Sequence, residues 1–231
     1  MVQMAGERGG TTTVGRKIIM GLTGLLLIGY LIIHLAANLM VFIPDGGRSL
    51  NLYSHTLHQL GPLLVIARII LAALFIFHIV NGIQVTLRNR RARSGRYAMY
   101  ASKGGPTKMT PASRWMAITG LILLVFVPLH VNMFTLGPYY ETVIDGQPVR
   151  DLYRLVVEEF KKPGVAFGYA AVMLFLCLHL AHGFWSAFQS LGANNRRWLP
   201  FLYTVGVILS ILLAGGFFVL PIYTYFFIPL P

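Results

Sequence analysis

The chain has one cysteine, Cys177, and it lies inside an apolar run. A single thiol closes no intrachain disulfide and holds no iron–sulfur cluster. Charge is scarce as well. Only 11% of the 231 residues are charged, against about 25% in a typical soluble domain. Acids are scarcest, seven against 19 Lys and Arg. There is no glycine-rich dinucleotide fingerprint, and too few residues lie in loops to build a nucleotide or small-acid site. The formal net charge of +12 could point to nucleic acid. The basic residues, however, are concentrated between apolar runs, so no nucleic acid partner is expected.

What remains is apolar. The chain is 56% hydrophobic with a mean hydropathy of +0.67. Five runs are long enough to cross a bilayer: about 18–43, 62–87, 115–136, 165–188 and 199–220. About 20 apolar residues cover the ~30 Å hydrocarbon core. The first run is too long for the core of a signal peptide, and no convincing small-residue cleavage site follows it, so it reads as a helix. The prediction is an all-α membrane protein, a five-helix transmembrane bundle over 18–220 with tails at 1–17 and 221–231. Thr110-Pro111 reads as a cap with proline at the first helical position of span 3. Leu152, Leu155, Val156 and Phe160 share one helix face, which predicts a surface helix over 150–161. Gly164 and Gly168 form a small-xxx-small pair at the start of span 4.

Lys and Arg set the orientation. Arg8, Arg16 and Lys17 precede span 1. Arg88, Arg90, Arg91, Arg93, Arg96, Lys103, Lys108 and Arg114 lie between spans 2 and 3 with no acid among them. Ser94-Gly95 and Gly104-Gly105-Pro106 break that segment into turns. Arg196 and Arg197 follow span 4. On the other side Arg48, Arg150, Arg154, Lys161 and Lys162 are offset by Asp45, Glu141, Asp145, Asp151, Glu158 and Glu159. The 1–17 tail is therefore expected in the cytoplasm and the 221–231 tail outside.

An internal repeat runs through the spans. Thr23-Gly24-Leu25-Leu26-Leu27 precedes His34, and Thr119-Gly120-Leu121-Ile122-Leu123 precedes His130, each Thr leading its His by eleven positions. His78-Ile79-Val80-Asn81-Gly82 parallels His179-Leu180-Ala181-His182-Gly183. Depth sorts the four histidines. His34 lies ~25 Å along its helix from the inner end, and His130 is likewise near the outer end. His78 lies ~15 Å from the inner end and His179 about as far, so two levels result, ~10 Å apart. The expected pairs are His34 with His130, outer, and His78 with His179, inner.

A bilayer penalises a polar side chain, and an intramembrane imidazole generally has a function and a partner. Two facing imidazoles can hold a haem iron from both sides. The competing reading of any one such residue is a hydrogen-bonded packing histidine. A proton relay in a transporter, or a structural scaffold, would use the same four residues without pigment. Gly82 and Gly183, four residues after their histidines, are read as making room for a macrocycle. His182 lies on a neighbouring helix face, matches Asn81 in the repeat, and is read as a packing residue or one that supports a ligand from behind. His55 and His58 precede span 2 and are either interfacial or in contact with a quinone or a haem propionate. Arg68, inside span 2, either pairs with a propionate or snorkels to the surface.

The segments IIHLAANLM, FHIVNGIQVTL, RSGRYAMYASK, SRWMAITGLILLVFVPLHV and LHLAHGFWSAFQSLG resemble the cytochrome b membrane anchor of succinate dehydrogenases and fumarate reductases, the succinate:quinone oxidoreductases. The likeness is closest to the single-subunit, five-helix, two-haem type of many bacteria and covers about residues 15–215. It implies two haem b groups with axial ligands His34 and His130, outer, and His78 and His179, inner. The family's spacing of ligand, glycine and aromatic residue fits His179, Gly183 and Trp185 and not His182. Asn51 and His55 resemble an Asn-x-x-x-His stretch seen in some members. The resemblance further implies a flavoprotein subunit, an iron–sulfur subunit docked at the cytoplasmic face, a bacterial inner membrane, and a quinone as substrate. Menaquinone is the expected quinone, with His55 and Arg68 as candidate contacts. Some members carry a glutamate where this chain has Cys177, and some a glutamate near the outer haem, where Asp45 is the only acid between spans 1 and 2. An anchor of a formate dehydrogenase or a hydrogenase is the alternative that the same di-haem pattern allows.

Overall fold

The computed structural model describes residues 13–91, 110–193, 195 and 197–230. Arg8, Arg93, Arg96, Lys103, Lys108, Arg196, the Ser94-Gly95 and Gly104–Pro106 turns and the RSGRYAMYASK motif lie outside the described residues. Among the described residues five helices are long and apolar enough to cross a membrane. They are α1 (Thr13–Asn38), α3 (Pro62–Arg91), α4 (Pro111–Phe134), α6 (Pro163–Ser190) and α7 (Leu199–Phe227). Two short helices lie between them, α2 (Arg48–Gln59) and α5 (Leu152–Phe160).

The helix ends follow ordinary capping chemistry. Thr110 accepts from the Ser113 backbone N–H while Ser113 accepts from the Thr110 N–H, a reciprocal box with Pro111 in the first turn. Arg88, Arg90 and Arg91 belong to the last turn of α3, where cations face the negative end of the helix dipole. Two expected boundaries move. The 1–17 tail loses Thr13–Lys17 to α1. The 221–231 tail loses most of its length, because α7 runs through Pro221 to Phe227. Proline stops most helices in water, but a spanning helix packed on neighbours tolerates one.

α7 lies along α6. α1 packs on α3 and α6, and α4 on α6, while α3 touches α4 only lightly. Ile28, Met173, Leu176, Leu180 and Leu213 form the apolar centre of the bundle. Close helix approach occurs at Gly21, where an added Cβ would sit 3.2 Å from the Ala187 carbonyl, and at Gly206, against Phe184. Gly164 and Gly168 face open space and contribute no such contact. Many large apolar side chains of α3 point outward, among them Ile66, Ile69, Ile70 and Phe77, as a lipid-facing helix requires.

One end of the bundle is capped. α2, α5 and a short hairpin of β1 (Glu141–Ile144) and β2 (Gln147–Arg150) cover it. The hairpin is the departure from an all-helical chain. Its turn is Asp145-Gly146, with φ of 54° and 77°, the two positive values that a tight hairpin turn requires. Val41, Leu50, Val156, Val157, Phe160, Leu220 and Ile228 form the core under this cap. Asn51 ties α2 to α5: its amide donates to Asp151 Oδ1 at 2.9 Å and its carbonyl oxygen accepts from the Tyr153 N–H at 2.9 Å. Arg48 adds a two-pronged contact to Asp145 at 3.0 and 2.6 Å.

Candidate functional site

Four histidines from four spanning helices meet as two pairs. His34 on α1 and His130 on α4 have ring centroids 5.8 Å apart, nearly perpendicular at 88°. His78 on α3 and His179 on α6 are 6.3 Å apart at 69°. The first pair lies toward the capped end. The second lies toward the opposite, open end.

Each imidazole of the second pair is held by a threonine of the repeat. Thr23 Oγ1 is 3.3 Å from His78 Nδ1, and Thr119 Oγ1 is 3.0 Å from His179 Nδ1. A hydroxyl has one hydrogen, and here the helix backbone takes it. Thr23 donates to the Ile19 carbonyl at 2.8 Å and Thr119 to the Met116 carbonyl at 3.1 Å. The threonine oxygen is then left to accept the imidazole Nδ1–H, and Nε2 keeps its lone pair. A fixed tautomer with a free Nε2 is what a metal-ligating histidine needs.

The glycines next to those threonines give the rings their space. A Cβ on Gly24 would sit 3.3 Å from His78 Cε1, and one on Gly120 would sit 3.3 Å from His179 Cε1. Around Gly82 and Gly183 the space is more open. Each faces a methionine, Met20 Sδ at 4.0 Å and Met116 Cε at 3.7 Å. Met20 and Met116 both stand three residues before the repeat threonine. The two halves thus repeat a whole cluster of threonine, glycine, methionine and histidine across a helix pair.

The levels are further apart than the sequence suggested. Thr23 touches His78, and His34 lies eleven residues farther along the same helix, about 16 Å of rise. The same interval separates Thr119 from His130.

The first pair, His34 and His130, is set among aromatic rings. Tyr30 stacks on His34 at 5.3 Å, and Phe126, Phe134 and Tyr169 surround His130 at 5.8, 5.4 and 6.0 Å. His130 Nδ1 is buried without a hydrogen-bond partner. His182 stands at 5.1 Å, edge to face, from Trp185 and also has a buried Nδ1 without a partner.

The residues fit a metal bound between two rings. A metal about 2 Å from the nitrogen of each of two imidazoles sets the ring centroids about 6 Å apart. Among the described residues no group of three or more His, Cys, Asp and Glu could hold a bare metal ion. A metal between these pairs would therefore take its other ligands from a non-protein ring, which is what a porphyrin provides.

The capped end gathers a second polar group. A cavity of about 180 Å³ is lined by His55, His58, Tyr139, Pro148, Val149 and Arg150. Arg68, exposed on α3, reaches His58 Nε2 at 3.5 Å. His55 Nε2 pairs with the Gln59 amide at 3.0 Å, and His58 Nδ1 donates to the Ser54 carbonyl at 2.7 Å. Arg150 donates to the Phe134 carbonyl at 3.0 Å, yet its Nε is buried with no partner. Burial, with the nearby Arg68 cation, holds the Arg150 guanidinium below its usual range despite the opposing effect of Tyr139. Arg150 was legible in the sequence only as one of several balanced loop charges. Cys177 points its thiol to Ser210 Oγ at 3.9 Å. Comparison with protein-family models, with curated proteins and with solved structures gives no match.

Proposed function

We propose that this chain is the membrane anchor and electron-transfer subunit of a bacterial succinate:quinone oxidoreductase. The observation that carries the reading is the meeting of four intramembrane histidines as two facing pairs at two levels, built on a repeated threonine and glycine framework. The motif order quoted above supports the choice of family. His34 and His130 would hold one haem b, and His78 and His179 the other. Haem b supplies a one-electron carrier whose potential the surrounding protein adjusts.

The chain's own residues do the positioning. Thr23 and Thr119 fix the tautomer and rotation of the inner imidazoles. Gly24 and Gly120 leave those rings room. Tyr30, Phe126, Phe134 and Tyr169 keep water from the outer pair and lower its local dielectric. Arg68, Arg150, His55 and His58 form a patch of guanidinium and imidazole groups at the capped end, where an anionic cofactor edge or a quinone headgroup would find donors. The iron–sulfur partner would dock at the basic open end and the flavoprotein behind it. Membrane quinone, menaquinone by family analogy, is the other redox partner.

Purification from native membranes tests this. The expected preparation is red, carries two haems per chain, and brings a flavoprotein with covalent flavin. A folded, colourless protein overturns the haem reading. A pigmented complex with molybdopterin or nickel subunits transfers the chain to a formate dehydrogenase or a hydrogenase.

A further inference from the structure

Met20 connects the hold on His78 to open space. Its carbonyl lies in hydrogen-bond reach of the His78 imidazole and takes a longer contact from the Thr23 hydroxyl at 3.2 Å. Its sulfur is what a Cβ on Gly82 would meet first, at 4.0 Å. The side chain thus fills the seam between α1 and α3 one turn inward of His78. The same half-buried residue lines a cavity of about 380 Å³ that opens at the uncapped end between α1 and α6. A thioether in that place is tied to the second histidine pair and is also within reach of small solutes.

A peroxide converts a methionine thioether to a sulfoxide. The peroxide O–O bond breaks, one oxygen bonds to sulfur, and the other leaves as water with both protons. Sulfur is oxidised by two electrons and the peroxide is reduced by two. The product replaces a weak acceptor with a strongly polar S–O bond. Facing Gly82, the new oxygen would meet helical backbone and stay without a donor, which is costly in an apolar seam. Facing the cavity, it meets His182, whose Nδ1 is buried with no partner and as an N–H donates to it. Ser186 and Ser190 already donate to the Gly183 and Ser186 carbonyls. The oxidised side chain therefore turns to the cavity, and the seam beside His78 loses its filling. The repeat supplies a contrast. Met116 holds the matching place beside Gly183 but does not line this cavity. At the place of His182 the other half has Asn81, whose amide already donates to the Phe77 carbonyl at 2.7 Å.

We infer that Met20 is a reversible oxidation site, at which hydrogen peroxide entering from the uncapped end forms a sulfoxide that draws the side chain off Gly82 and loosens the hold on His78. The modification itself stands on the cavity and the thioether. Its effect on a haem rests on the function proposed above. A methionine sulfoxide reductase restores the thioether and returns the side chain to the seam.

The test uses the full-length, haem-loaded protein in lipid nanodiscs, exposed to hydrogen peroxide that is then removed with catalase. Peptide mass spectrometry should find an added oxygen at Met20 about tenfold faster than at Met173, which is buried. The treated protein should release its inner haem about tenfold more readily than before, with the outer haem unchanged. A methionine sulfoxide reductase should reverse both changes. Met20→Leu should show no effect of peroxide on the inner haem, which also excludes direct bleaching, and Met116→Leu should respond like the parent. Oxidation of Met20 no faster than of Met173, or a modified Met20 with inner-haem affinity unchanged, overturns the inference and leaves the haem reading standing. So does a response that survives in Met20→Leu or vanishes in Met116→Leu. A parent with no Soret band overturns the haem reading, and the effect through His78 with it.

Discussion

Thr119 stands 3.0 Å from His179 through its hydroxyl, and Thr23 stands in the same relation to His78 at 3.3 Å. The two contacts are one interaction made twice by a duplicated sequence. Their hydroxyl hydrogens go to backbone carbonyls, so both threonines act as acceptors toward the ring.

Removing that acceptor tests its role. Thr119→Val keeps the shape and deletes the hydroxyl. The expected result is a 10–100-fold loss of inner-haem affinity, the usual cost of losing a partner behind a metal ligand. Thr119→Ser should restore binding. Haem titration of the apoprotein measures it, and a valine variant that binds like the parent would refute the tautomer argument.

The ligand assignment separates two neighbouring histidines. His179→Ala should lose the inner haem and keep the outer, while His182→Ala should keep both. His34→Ala and His130→Ala should each lose the outer haem alone. Low-temperature optical spectra resolve the two, and haem loss in His182→Ala with retention in His179→Ala would reverse the choice.

Glycine tolerance discriminates between the two glycine pairs. Gly120→Val places methyl groups where a Cβ already stands 3.3 Å from His179 Cε1, so the ring must turn and the inner haem should be lost. Gly82→Ala meets nothing nearer than the Met20 sulfur at 4.0 Å, a flexible thioether, and should bind haem normally. Equal damage at both positions would contradict the packing described here.

The cap depends on Asn51, which is buried and bonds to both Asp151 and the Tyr153 backbone. Asn51→Leu leaves the Tyr153 N–H without a partner and Asp151 with only the Arg154 N–H, and should cost the cap about 1–3 kcal/mol. Faster proteolysis of the 141–150 hairpin, with haem spectra unchanged, is the expected signature. An unaltered cleavage rate would mean the latch is dispensable.

Acid should loosen the same cap. Hydrogen bonds from Arg48 hold the Asp145 carboxyl below its ordinary value, and Ser49 does the same for Asp45. A carboxyl with a depressed folded pKa stabilises fully above its unfolded value, about 4, and loses that contribution as pH falls through the lower folded value. Hairpin proteolysis followed against pH should therefore accelerate in acid in the parent and less so in Asp145→Asn. Superimposable profiles would show that the Arg48 contact contributes nothing to the cap.

Much of this arrangement was legible in the residues. Run length marked the five spans, the Thr110-Pro111 cap marked the start of α4, and apolar spacing marked α5, where Leu155, Val156 and Phe160 are buried as the pattern required. The repeat pointed to the histidines and to which should share a level. It did not reveal that the threonines heading the repeat reach across to the partner helix, because that contact depends on helix register and on the direction side chains lean. Arg150 could not be singled out, since its burial arises only when β2 folds against the end of α4.

Composition and periodicity are local properties, and they alone determined that this chain has five apolar helices with a histidine at a set height in each of the first four. Which imidazole faces which, what holds each ring, and where cation-lined cavities open were decided by packing. Those features depend on rotations and offsets between helices, which all the contacts of the bundle fix together.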